Sequence, residues 1–540
     1  MRTAVPFFRS RPSGRRSGVL ALTGVVIAAL AVAVTSVAAT KSSSASGTLV
    51  VDNSFVIRTT DPQREFDPTG SIVAHAMYDT LVTFKGSGTK PVPWLASSWK
   101  ATNGAKLFTF HLRKGVVFSD GTPLTSADVA FTFRRLINIK ASGSFLLANV
   151  TVSTPNSSTV VLRSKVPNPA LTRILANPAL GIVNSKVVKA QGGSDAPGAD
   201  KKDKAEKYLD ANSAGSGAYT LKQYTTNQQI ILVANPRFWG PKPKFSTVVI
   251  RNMTAPTQLL NVQRGANEIA LDLSSRQASS LKGKGSVQVH IDASPNLFNI
   301  DMNMSSAVSP VTSNAHIRKA VRLALDYKAF AALGGPGSIQ AAGMVPSVFL
   351  GALPARHAQK RNIAQAKAEV AASGISNPKI TLTYPAGLTI NGIDFGVLAQ
   401  KTKANLAQIG ITVNLQGLPV NAMLQQYAAG KDQMTQSYWG PDYPDPNDYQ
   451  VFLPGGTAAL RVNWKTGMDK PLEALGKRAL QTTDDAKRAS LYRQIQLRLN
   501  TDSPFIPLFQ PSQAIVASKN LTGAVLNFTW LIDLRSVGSR

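Results

Sequence analysis

The run Leu107-Phe108-Thr109-Phe110-His111-Leu112-Arg113-Lys114-Gly115-Val116-Val117-Phe118-Ser119-Asp120-Gly121-Thr122-Pro123-Leu124-Thr125-Ser126-Ala127-Asp128-Val129 strings several local signals together without a gap. Apolar and polar residues alternate from Leu107 to Leu112, the period of a strand with one buried face. Gly115 turns the chain into the short apolar run Val116-Val117-Phe118, and Asp120-Gly121 turns it again. Thr125 is a good N-cap, and Asp128 three residues on completes a pattern like a capping box, so a helix is expected to start here.

On the N-terminal side, residues 49–59 alternate and are β-branched, which predicts another strand. Phe66-Asp67-Pro68 ends it, and residues 73–84 read as a helix. Further upstream, Arg2, Arg9, Arg11, Arg15 and Arg16 precede an apolar run that closes on Val37-Ala38-Ala39. A basic start, an apolar middle and small residues at the end are the marks of a secretory signal, here residues 1–39. The run also reaches the ~20 residues a membrane anchor needs, so the expectation is export with the segment either cleaved or retained. Residues 40–47, rich in serine, read as a tether.

Downstream, residues 192–204 read as a polar, Gly-rich, mobile surface insertion, and Asn235-Pro236 as a turn with Trp239 packed into the framework. Residues 316–326 form an amphipathic pattern that puts Ile317, Ala320, Val321 and Ala324 on one face. Gly334, Gly335 and Gly337 make a loop without the Lys-Ser/Thr that a phosphate cradle requires. A strand at 380–384, a helix through Leu398, Thr402 and Leu406 ending at Gly410, and a strand at 411–415 predict an α/β unit with part-parallel sheet. Residues 485–500 read as a strong helix, and Pro504 as the place where the chain leaves this unit.

Tyr438-Trp439-Gly440-Pro441-Asp442-Tyr443-Pro444-Asp445-Pro446-Asn447-Asp448-Tyr449 gathers acids, aromatics and prolines in a chain that is otherwise basic. Each proline fixes φ and removes a donor, and pushes the residue before it to extended geometry, which predicts a stiff ordered loop. Asp445 before Pro446 reads as a turn former.

Composition narrows the function. The 540 residues contain no cysteine, which rules out a disulfide framework, a thiolate nucleophile and cysteine-held metal. The five histidines are scattered without metal-ligand spacing, and no Gly-x-Ser-x-Gly, His-Glu-x-x-His or P-loop occurs. No catalytic, metal or cofactor residue is assigned. The length suggests two or three domains. The net charge of +30 favours anionic neighbours. Its bases are not interleaved with aromatics as in a nucleic-acid module, so envelope polyanions are expected rather than nucleic acid.

The order Phe66-Asp67-Pro68, Leu95-Ala96-Ser97-Ser98-Trp99, then the opening stretch, closely resembles the signature of the extracellular solute-binding proteins of family 5, the peptide and nickel group of ABC importers. Gly215-Ser216-Gly217-Ala218-Tyr219, Ala234-Asn235-Pro236-Arg237-Phe238-Trp239 and the Trp439 to Pro446 loop extend the resemblance over residues 48–535. It implies an α/β fold of two lobes, of the periplasmic-binding-protein type II, with an extra subdomain in the first lobe. The first lobe is placed at 48–295, the second at 296–504, and the return to the first at 505–540. Within it, Arg113, Asp120 and Asp128 are turn and cap residues. The resemblance further implies that Asp442 pairs with a ligand α-ammonium group. Main chain at Gly440 binds the peptide, and Trp439 and Tyr438 wall the site. The lipid-bearing N-terminal cysteine usual in Gram-positive relatives is missing. The expected partners are a small peptide or peptide-like solute and ABC permease transmembrane subunits, with membrane or cell-wall association; the protein itself is expected to be a monomer. A non-peptide solute (oligosaccharide, nickel chelate, opine), and a cell-envelope interaction protein using its basic surface, are the other readings.

Overall fold

A computed structural model describes residues 47–540; the expected export segment 1–39 and tether residues 40–46 lie outside the described residues. Among the described residues, no helix is long and apolar enough to cross a membrane. Two sheets organise the rest. The first has seven strands in the order Val287–Ala293, Ser512–Ser518, Glu268–Ala270, Thr48–Asn53, Thr247–Asn252, Gln229–Ala234, Tyr219–Thr225. The second has six: Ile339–Gln340, Phe505–Gln510, Leu297–Met302, Met434–Trp439, Lys379–Pro385, Thr412–Leu418. Each is covered by helices, as parallel pairing requires, and each anchors its own apolar core. The protein is thus the two-lobe α/β fold that the sequence predicts.

The opening stretch builds the extra subdomain of the first lobe. Leu107–Leu112 is a middle strand of a four-stranded antiparallel sheet, with Phe108, Phe110 and Leu112 buried. The helix Ser126–Ile139 follows. The Asp128 carboxylate accepts from the Thr125 N–H (2.9 Å) and hydroxyl (3.0 Å). Asp120 accepts the Thr122 N–H, and Arg113 Nε donates to the Trp94 carbonyl with its guanidinium 5.1 Å from the Trp239 ring. All three are framework residues.

Three expectations shift. The strand read at 49–59 ends at Asn53, and the helix read at 73–84 runs instead over Pro68–Met77, because Asp67 caps it and Pro68 suits its first turn. The 192–204 insertion is tied down rather than loose. Its Asp203 side chain is buried and bridges Arg135 Nε at 2.8 Å, a contact across 68 positions that composition does not reveal. The second lobe also runs further than Pro504: Phe505–Gln510 pairs with Leu297–Met302 in the second sheet, and only Ser512–Ser518 belongs to the first.

The chain therefore crosses between lobes at residues 294–296 and at Pro511. The two crossings lie side by side: the Ser294 N–H donates to the Pro511 carbonyl (2.7 Å), and Gln510 Nε2 donates to the Ser294 carbonyl (2.8 Å). On one side of them Val287–Ala293 pairs with Ser512–Ser518; on the other Leu297–Met302 pairs with Phe505–Gln510. One two-stranded ribbon joins the sheets.

Candidate functional site

A cavity of 780 Å³ opens where the lobes face each other, within the ~300–1,000 Å³ usual for small-molecule sites. The first lobe supplies Asn53, Phe55, Asp67 and Asp272, the crossing supplies residues 294–296, and the second lobe supplies Tyr438, Gly440, Pro441, Asp442 and Tyr443.

The strand Met434–Trp439 delivers this loop. Lys379–Pro385 flanks its start at Met434 and Thr435, while Leu297–Met302 runs beside its whole length, so its end is held by Leu297 and Phe298 next to the crossing. Neighbouring side chains of a strand point to opposite faces. Tyr438 packs on Phe298 and Phe395 (ring centroids 6.1 and 5.9 Å) and lines the cavity. Trp439 faces the other way. Its ring meets Phe452 edge-on at 5.2 Å, and its Nε1 donates to Asp448 Oδ2 at 3.0 Å. Trp439 therefore does not wall the cavity as expected; it supports the loop from behind. At Gly440 a Cβ would stand 3.0 Å from Asn296 Oδ1, a tight contact that a larger residue relieves only by shifting the Asn296 side chain.

Pro441 has no N–H, and the Asp442 N–H turns back to Asp448 Oδ2 at 3.3 Å. The Asp442 carboxylate is left without any hydrogen bond or ion pair among the described residues, and burial pushes its pKa up to about 6. Asp448 lies deeper; burial, then the charge of Asp442, pushes it up to about 8. Asp448 was not singled out by sequence, since its role depends on donors supplied by Trp439 and the Asp442 main chain.

Asp445 has a different setting. It caps the 3-10 helix Pro446–Phe452 through the Asn447 N–H (2.8 Å), where Pro446 at the first position is compatible with helix after all. Its carboxylate is also clamped by buried Arg488 (2.5 Å) and by Arg173 of the first lobe (3.2 Å). Arg173 reaches Asp485 as well (2.8 Å), and Asn177 Nδ2 donates to the Asp442 carbonyl (3.4 Å). These contacts tie the subdomain to the loop across the cleft.

The bacterial extracellular solute-binding proteins, family 5, match this chain over residues 90–459, and the chain belongs to that family. Among its relatives is the probable D,D-dipeptide-binding periplasmic protein DdpA of Escherichia coli, 28% identical over 89% of this chain and 91% of its own length. Di/tripeptide-binding protein 4 of Pseudomonas aeruginosa is 27% identical over 85% and 89%. The solved structure of HbpA2 from Haemophilus parasuis superposes with a TM-score of 0.79 at 21% identity, covering 92% of this chain and all of that one, and shares the fold.

Proposed function

We propose that the chain is the extracytoplasmic receptor of an ABC importer. It takes a short peptide or peptide-like solute into the cavity between its lobes and delivers it to permease subunits in the membrane. The carrying observation is Asp442: a carboxylate in the cavity wall, partly desolvated, with no cation beside it among the described residues. A carboxylate in that position gains most from a ligand ammonium, because each charge would otherwise be buried unpaired at a cost of several kcal/mol. The loop is stiffened by Pro441, Pro444 and Pro446 and braced by Trp439 and Asp448, so little ordering entropy is lost on binding. Gly440 lets a ligand backbone approach the rim, while Tyr438 offers a flat aromatic wall. The names of the two sequence relatives, a D,D-dipeptide binder and a di/tripeptide binder, support a short peptide as cargo.

The test is a double cycle by calorimetry. Asp442→Asn keeps the shape and drops the charge, and is expected to weaken a free-amine tripeptide by about 2–5 kcal/mol, or roughly 30- to several-thousand-fold. N-acetylating the peptide should cost as much in the wild type and almost nothing further in the variant. If Asp442→Asn binds as the wild type does, the ammonium is held elsewhere and the peptide reading gives way to a sugar or chelate.

A further inference from the structure

The cavity wall has the wrong sign for the molecule it belongs to. The chain holds 59 Lys and Arg against 29 Asp and Glu, yet the residues lining the cavity include Asp67, Asp272 and Asp442 and not one Lys, Arg or His. None of the three acids forms an ion pair within 4.0 Å among the described residues; every base in such a pair is spent on another carboxylate. Asp67 accepts the Gly70 N–H at 2.8 Å, and Asp272 accepts the Ser54 N–H and Gln258 Nε2. Those donors are neutral, so they orient the carboxylates without cancelling their charge. The remaining polar lining is amide and hydroxyl: Asn53, Asn177, Asn296, Asn391 and Gln513 among them.

Low-dielectric walls focus the field of such a cluster into the space they enclose. The acids also come from both lobes, Asp67 and Asp272 from the first and Asp442 from the second, so a ligand spanning the cavity meets negative charge at each side. A solute carboxylate finds no cation there among the described residues and must be desolvated against like charge.

Resting on the reading of the protein as a peptide receptor, we propose that the cavity selects cationic solutes: peptides of net charge +1 or more, with one ammonium at Asp442 and a second cationic group on the Asp67–Asp272 wall. A free carboxylate adds nothing to binding. The charge order of the preferred cargo is then set by the wall rather than by the basic exterior, which steers only anions.

The experiment is calorimetry of the full chain with Lys-Ala-Lys, Ala-Ala-Ala and Glu-Ala-Glu, each as free acid and as C-terminal amide, with the diamine putrescine alongside. Lys-Ala-Lys should bind at least tenfold tighter than Ala-Ala-Ala, and Glu-Ala-Glu at least tenfold weaker. Amidation should leave affinity within threefold or raise it. Asp272→Asn, at an exposed position and with one amide oxygen left to accept from Ser54 and Gln258, should weaken Lys-Ala-Lys about tenfold and Ala-Ala-Ala less than twofold, its melting curve checking that the fold is kept. Equal affinity across the three peptides, or a tenfold loss on amidation, overturns charge selection while leaving peptide binding in place. Binding of putrescine with no binding of any peptide upholds the cationic cavity and overturns the peptide reading. Silence from every probe overturns both.

Discussion

Asp442 and Asp445 sit three positions apart on one loop and share the same chemistry, yet their surroundings give them opposite tasks. Asp445 is fully buried between Arg488 and Arg173, caps a helix and ties the lobes. Asp442 looks into the cavity with no partner among the described residues. One charge is satisfied by the protein and holds structure; the other is left unsatisfied, which costs the empty protein stability and keeps it available to a ligand. The proline spacing makes this separation persistent, because a stiff loop cannot swing Asp442 back toward the arginines.

The largest expected effect comes from breaking the satisfied member. Asp445→Ala leaves Arg488 buried without its closest partner and should destabilise the fold by about 3–5 kcal/mol, read from denaturant unfolding. A loss below 1 kcal/mol would show that the clamp is not structural. Next is acidity. With Asp442 pushed up to about 6, a proton competes with the ligand ammonium below that pH. Affinity should fall about tenfold per unit as pH drops beneath 6, and stay level from there up to about 8, where a peptide amine loses its own proton. Asp448, pushed up to about 8, is mostly neutral across that window. Asp442→Asn should flatten the acid limb in calorimetry at several pH values.

Smaller and opposite in sign is the effect of Asp442→Asn on the empty protein. A carboxyl whose folded pKa lies above its unfolded value subtracts stability once pH exceeds both. At pH 7, therefore, the neutral variant should be more stable, by about 1 kcal/mol after solvent screening. A lowered melting temperature would mean that Asp442 has a protein partner after all. The smallest change should follow Trp439→Phe, which keeps the ring against Phe452 and removes one hydrogen bond to Asp448. Stability should drop about 1 kcal/mol and ligand affinity should move less than threefold. A hundredfold loss of affinity would put the indole in contact with the ligand.

Much of this architecture is legible in short-range pattern. The alternation in Leu107–Leu112, the Thr125 and Asp128 cap and the parallel pair Lys379–Pro385 with Thr412–Leu418 are each decided by a few neighbouring residues. The site was legible only in part. The prolines marked the loop as stiff and the family resemblance singled out Asp442 within it, whereas Asp67 read as the end of a strand and Asp272 drew no notice. Their common wall exists only once residues some 200 positions apart are brought together. Pro504 misled for a physical reason. Prolines usually end strands, but Phe505–Gln510 carries Pro507 inside it, opposite Asn299 where the register shifts. The short outer strand Ile339–Gln340 pairs only with Phe509 and Gln510, so Pro507 needs no donor on that side.

The doubled crossing at residues 294–296 and Pro511 bears on how such a receptor searches for its cargo. Two strands hydrogen-bonded side by side, with Pro295 in one and Pro511 in the other, make a short connection of the kind about which two lobes hinge. Hinging there is expected to carry the lobes along an arc instead of through every mutual orientation. Capture becomes a one-dimensional problem: once a solute touches either rim, the opposite rim arrives already aligned.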